Sequence, residues 1–401
     1  MHNAFTTATL AYAQGNPQPS KAAFSVLSEQ DFANSWAEIT AWKGYAPTPL
    51  VSLAGIAENI GVGAIHYKHE GPRFGLGSFK ALGGSYAALR VLARELTSRL
   101  GQEVTLADIR SGKYAGEIAN ITLVSATDGN HGRSLAWGCQ RVGAPCRIYI
   151  HAEVSEGRAE AMRELGADVV RIDGDYDASV ILAKTEAEEN GWFVVSDTSW
   201  EGYTEPPRDV MAGYGVMTRE ACEALDKAPT HVFLQGGVGG LAASVAAGLR
   251  QYWGDAAPRV VIVEPDLAAC LFDSAKAGQP TNVAIQEETI MAGLSCGEPS
   301  EMAWEILAEE ASDFLTIPDN IVPPTVRLLA RPEFGDEAVE AGESAVAGLA
   351  ALIAVRQNAG LSAKLGLDAG SRVLLIGSEG VTDAAIFAAI MAENEKGIEH
   401  V

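Results

Sequence analysis

Lys80 stands in the run Gly77-Ser78-Phe79-Lys80-Ala81-Leu82-Gly83-Gly84-Ser85-Tyr86, at the head of an otherwise apolar, small-residue stretch. Burying an ammonium there is costly, whereas desolvation lowers an amine's pKa and frees it as a nucleophile, for instance toward the aldehyde of a cofactor in a Schiff base. The same residues also fit a helix-start lysine that runs its stem along apolar surface to water. The tetrapeptide alone leaves both readings open.

Two further motifs carry chemistry. Thr127-Asp128-Gly129-Asn130-His131-Gly132 follows the β-branched run 121–125 and precedes the helix-like 134–138. Strand, polar turn and helix start aim backbone N–H groups at an anion. Gly236-Gly237-Val238-Gly239-Gly240 follows the strand-like 232–235 and opens the Ala-rich 241–247. Glycines let a backbone close around a phosphate, and the helix start favours its charge. The spacing is neither the dinucleotide fingerprint nor a Walker A loop, which predicts a cofactor with one phosphate rather than a nucleotide.

In their order these motifs resemble the fold type II family of pyridoxal 5′-phosphate (PLP) enzymes, with Thr48-Pro49-Leu50 similar to that family's entry segment; the likeness covers most of residues 45–390. Asp128 stands where the family's dehydratases carry serine, and the runs 197–203 (Asp-Thr-Ser-Trp-Glu-Gly-Tyr) and 291–298 (Met-Ala-Gly-Leu-Ser-Cys-Gly-Glu) resemble the branch that acts on 2,3-diaminopropionate. The resemblance implies two open parallel-sheet α/β domains with the cofactor in the cleft between them. It further implies that Lys80 links to PLP and carries protons. Gly236, Gly237, Val238, Gly239 and Gly240 would hold the phosphate, Asn130 the ring hydroxyl, and Ser378 the pyridine nitrogen. Ser378 also fits a plain turn at a strand end.

Thr127, Asp128, Gly129 and His131 are expected to receive the substrate carboxylate. An aspartate in an anion-binding turn is unfavourable: two like charges in contact cost about 1 kcal/mol in water and several at a partly buried site. A substrate with a second ammonium resolves the conflict, since Asp128 and Asp197 can hold a β-amine and give it a proton as it leaves. The expected reaction is α,β-elimination of D- and/or L-2,3-diaminopropionate to pyruvate and two ammonia. A second reading makes one aspartate a base on the cofactor face opposite Lys80. As residues alone, Asp197 equally fits a helix cap, His131 a satisfied turn residue, and Trp200 with Tyr203 plain packing. The alternatives are a serine/threonine dehydratase of the same fold, a β-replacement enzyme whose second-nucleophile site is not evident, and a PLP-binding protein without catalysis.

Composition narrows the partners. A net charge of −23 and a pI near 4.7 repel nucleic acid and anionic membranes; the small amino-acid substrate is what the resemblance implies. The five cysteines (139, 146, 222, 270 and 296) are odd in number and lack C-x-x-C spacing, so neither a disulfide framework nor a zinc site is expected, nor any other metal. No basic start followed by an apolar run opens the chain, and no stretch reaches membrane-spanning length. The expected location is cytoplasmic, and the resemblance implies a homodimer.

The elements that must position these residues alternate, β-branched runs with helical patterns, the signature of parallel βαβ units. Strands are predicted at 121–124, 147–150, 169–172, 193–195, 232–235, 260–263 and 372–376, and helices at 156–165, 177–189, 207–225, 338–358 and 382–395. Residues 1–40 read as an N-terminal arm and the start of a large domain. The resemblance implies that 41–85 and 197–401 complete this large PLP-binding domain around a small domain at 86–196. No C-terminal regulatory domain is expected.

Overall fold

The structure is a computed structural model that describes residues 3–18, 20–127 and 129–392. Its contacts divide the chain into two compact units, one of Met1–Ser28, Pro47–Ser78 and Met217–Val401, the other of Glu29–Ala46 and Phe79–Val216.

The first unit is built on a seven-stranded sheet of β1 (Ala11–Gln14), β2 (Leu50–Ser52), β3 (Ala64–His69), β8 (His231–Gln235), β9 (Arg259–Pro265), β10 (Ala311–Ile317) and β11 (Arg372–Gly377). Its order is β1-β10-β9-β8-β11-β3-β2. The five inner strands run parallel, while β1 on β10 and β2 on β3 are antiparallel edges. Every residue of β8 is buried, as a central parallel strand covered on both faces requires. The helix Ala347–Gln357, buried through Val355, lies against this sheet. Gly348 makes that approach possible, since a Cβ there would stand 3.1 Å from the Phe233 carbonyl oxygen.

The second unit holds a parallel four-stranded sheet of order β6-β5-β4-β7, comprising β4 (Leu123–Ala126), β5 (Cys146–Ile150), β6 (Asp168–Arg171) and β7 (Phe193–Val194). Two of its helices, Lys80–Leu100 and Asn130–Val142, cross at close quarters. A Cβ on Gly84 would lie 2.8 Å from Ser134 Oγ, and one on Gly138 would lie 2.7 Å from the Ser85 Cα. Ser85 N–H donates to Ser134 Oγ at 3.0 Å, and Ser85 Oγ–H donates to the Ser134 carbonyl at 2.7 Å. The small residues after Lys80 therefore let one functional helix seat against the other.

All seven predicted strands occur, each within two residues at its ends. The helix expected from 338 begins instead at Ala347 after a short 3₁₀ turn. Gly342 N–H donates to the Glu379 carbonyl at 3.3 Å, and a Cβ there would meet the Gly380 carbonyl at 2.7 Å, so residues ahead of 344 are docked as extended chain. The terminal helix spans Ala384–Ala392, and the rest of 382–395 beyond it lies outside the described residues. Residues 11–14, expected within an arm, form a strand of the large sheet. Among the described residues no single helix is long and apolar enough to cross a membrane.

Candidate active site

Lys80 is the first residue of its 21-residue helix. Its ammonium is ion-paired to the carboxylate of Asp197, which lies in the loop after β7. Both side chains are mostly covered, 22% and 15% exposed, so the pair is shielded from water without being sealed off. Burial alone would push the Asp197 carboxyl up, but the Lys80 ammonium holds it below the usual carboxylate range.

Asp197 is fixed by its own loop. The Tyr203 hydroxyl accepts the Ser196 N–H at 3.0 Å and donates to the Val194 carbonyl at 2.9 Å, bracketing the chain just ahead of Asp197. The Tyr203 ring stacks on Trp200 at 4.0 Å, and the Lys184 ammonium covers Trp200 at 3.5 Å. Asp197 is therefore not a helix cap: the following helix starts only at Glu205.

The 127–132 turn is ordered from within. Thr127 Oγ1 accepts the N–H groups of Gly129, at 3.2 Å, and of Gly132, at 3.4 Å. Gly129 has φ +155°, and Gly132 lies so close that a Cβ would be 2.4 Å from Thr127 Cγ2. Asn130 and His131 open the next helix. The His131 ring is buried, with Nε2 at 2.8 Å from the Val195 carbonyl and Nδ1 at 3.9 Å from Asp197 Oδ2. Lys80, Asp197 and His131 thus form one group. Asp128 lies outside the described residues.

In the first unit the glycine loop joins β8 to the helix Gly240–Trp253. Gly237 (φ +61°) and Gly239 (φ +97°) adopt the left-handed conformation that side chains disfavour. Gly236 N–H donates to the Val263 carbonyl at 2.9 Å and Gly239 N–H to the Gly236 carbonyl at 3.2 Å. The N–H groups of Gly237, Val238 and Gly240 have no protein acceptor among the described residues. Free donors beside a helix start fit a phosphate monoester. Glu264 lies behind the loop, its Cγ 2.4 Å from where a Gly236 Cβ would stand, and accepts the Leu271 and Phe272 N–H groups at 3.0 and 2.7 Å. Burial with no cation nearby pushes this carboxyl up to about 8. Cys270 and Cys296, neither in a disulfide, flank Gly237: Cys270 Sγ is 3.5 Å from its carbonyl oxygen, and Cys296 Sγ would be 3.7 Å from its Cβ.

Ser378 follows β11 and is buried. Glu379 bridges Ser78, and Gly380 N–H donates to the Gly77 carbonyl at 2.9 Å, so the Ser378 turn runs along the residues that lead into Lys80. Among the described residues no group of three metal-ligating side chains occurs.

Three features escaped the sequence reading. Tyr214, fully buried, packs on Phe79 at 4.6 Å and against Gly83, over the first turn of the Lys80 helix. Glu264 gave no signal beyond its place at a strand end. A buried ionic cluster fixes the entry segment: Thr48 Oγ1 donates to Glu70 at 2.5 Å, Lys68 to Glu220 at 2.6 Å, and Arg73 to Glu70 and Glu220, each at 2.8 Å.

The profile of the pyridoxal-phosphate dependent enzyme family matches residues 41–379, and the chain belongs to that family. It is 38% identical over 362 residues to the diaminopropionate ammonia-lyase of Escherichia coli K12, covering 88% of this chain and 89% of the relative. The Salmonella typhimurium enzyme of the same name is likewise 38% identical, over 357 residues. A crystal structure of the E. coli diaminopropionate ammonia-lyase, in complex with an aminoacrylate-PLP azomethine reaction intermediate, superposes with a TM-score of 0.86 at 34% identity, covering 97% of this chain and 98% of that one.

Proposed function

We propose that this chain is a PLP-dependent carbon–nitrogen lyase that eliminates the β-amine of 2,3-diaminopropionate, yielding pyruvate and two ammonia. Bound PLP supplies an electron sink for the carbanion formed at the substrate α-carbon. Lys80 Nζ holds the cofactor aldehyde. The free N–H groups of Gly237, Val238 and Gly240 take the phosphate, with Gly236 and Gly239 shaping the loop. Asn130 meets the ring hydroxyl and Ser378 the pyridine nitrogen. Thr127, Gly129 and His131, with Asp128, form the turn that receives the substrate carboxylate, His131 through its backbone N–H rather than its ring.

The ion pair of Lys80 and Asp197 carries the assignment of substrate. It supports a site at Asp197 that binds an ammonium. When Lys80 is engaged by the cofactor, the substrate's β-ammonium takes its place as counter-charge, with Asp128 as second carboxylate. Asp197 and Asp128 then keep the departing nitrogen protonated, which makes ammonia a good leaving group. A substrate with a second carboxylate would be repelled.

Product counting tests this. Purified enzyme with PLP should release two ammonia per pyruvate from diaminopropionate; one ammonia per pyruvate, or no pyruvate, would contradict the reading. We also place the enzyme in the cytoplasm as a homodimer. The cysteines, none in a disulfide, suit a reducing compartment, and sedimentation at assay concentration checks the dimer.

A further inference from the structure

We propose that His131 Nδ1 is the proton acceptor that serves Asp197, so that a proton taken by the carboxylate has a second place to rest. His131 is thereby a positioning residue that acts through Asp197; the inference rests on the acid–base reading of Asp197 given above.

The geometry determines which ring nitrogen does this. Nε2 is 2.8 Å from the Val195 carbonyl, and a carbonyl oxygen can only accept, so Nε2 carries the hydrogen. Val195 is itself held, its N–H donating to the Val124 carbonyl at 2.8 Å. In a neutral ring Nδ1 then presents a lone pair. Among the described residues that atom is buried and has no hydrogen-bond partner, and it faces Asp197 Oδ2 at 3.9 Å.

A buried acceptor without a donor is unfavourable, and here two acceptors confront each other. Protonating either relieves both. Before the cofactor engages Lys80, the carboxylate is satisfied by its ammonium. Once Asp197 accepts a proton, its O–H has one ready partner, Nδ1.

The charged groups facing the ring are Asp197 and Lys80. Burial is the largest influence and holds the imidazole below its ordinary range, and the Lys80 ammonium adds to it, against the opposing pull of Asp197. The ring is neutral at physiological pH and able to accept.

The proton balance closes. A proton leaves the substrate α-carbon for Asp197 Oδ2 and passes to Nδ1, giving an imidazolium whose Nε2–H still donates to Val195. When the C–N bond of the β-ammonium breaks, its electron pair leaves with the nitrogen as ammonia, which takes the proton back by the same path and departs as ammonium.

The first test needs no substrate. In the apoenzyme, ¹⁵N NMR of His131 should show the Nε2–H tautomer at neutral pH with Nδ1 unprotonated. D197N should shift the Nδ1 resonance, because the new amide donates to it, and leave Nε2 unmoved. An Nδ1–H tautomer, or an Nδ1 indifferent to D197N, would overturn the proposal whatever the enzyme's substrate.

The second test uses H131Q, whose amide retains a donor for Val195 but no basic acceptor. It should lower kcat with diaminopropionate by about 10–100-fold at nearly constant KM and shift the pH profile of kcat. A raised KM at unchanged kcat would assign the ring to substrate binding and overturn the role.

Discussion

Lys80 and Asp197, 117 positions apart in the chain, are joined by an ion pair that sets the first turn of one helix against the loop following β7. Without cofactor the carboxylate is thus charged and held by a cation, the place the substrate's β-ammonium takes once Lys80 is engaged. Asp197→Asn should lower kcat/KM for diaminopropionate by about 10²–10⁴-fold and lower it less for serine, which has no β-ammonium to hold. Steady-state assays on both substrates check this.

Tyr203→Phe keeps the stacked ring and removes only the hydroxyl that holds Ser196 and Val194. Each lost bond leaves a buried backbone group unpaired, so a destabilisation of about 1–3 kcal/mol is expected. Because the slack falls next to Asp197, kcat should drop as well. Urea unfolding with parallel kinetics tests both, and a variant less stable but equally active would detach Tyr203 from the site.

Gly236 touches Glu264, and the alanine Cβ in Gly236→Ala would lie 2.4 Å from the glutamate Cγ. Either the loop or the carboxyl must move. Overpacking of this kind costs about 1–3 kcal/mol, so PLP affinity in equilibrium dialysis should fall roughly tenfold or more. Unchanged affinity would show that the loop tolerates the shift.

Glu264 also predicts a pH dependence. Its folded pKa, about 8, lies above the ordinary 4.5, so between these values the folded state binds more protons than the unfolded chain. Stability contributed by the neutral carboxyl is complete below pH 4.5 and is lost progressively as pH rises toward 8. Thermal unfolding of the apoenzyme across this range should show the decline, and Glu264→Gln should flatten it. An identical slope in the variant would remove Glu264 as its source.

Much of this was legible in the residues. Lys80 at a helix start and the glycine turn between β8 and the next helix were legible because both depend on local backbone and spacing. The parallel strands were legible too, because burial on both faces leaves apolar runs such as 232–235. What was hidden depends on distant partners. Lys68, Glu70, Arg73 and Glu220 carry no local signal of their role and are buried together. β3, Ala-Ile-His-Tyr-Lys-His, carries polar residues, and its Lys68 is paired only within this cluster formed by distant parts of the chain. His131 was expected only within the substrate turn, and its contact with Val195 emerges from β7 folding beside β4.

The most direct test of the account compares kcat/KM for D- and L-2,3-diaminopropionate, D- and L-serine and L-threonine, using purified protein loaded with PLP and 2-oxo acid detection. A clear preference for diaminopropionate is expected; a preference for serine or threonine would contradict the ammonium-binding role of Asp197 and leave a dehydratase on the same fold.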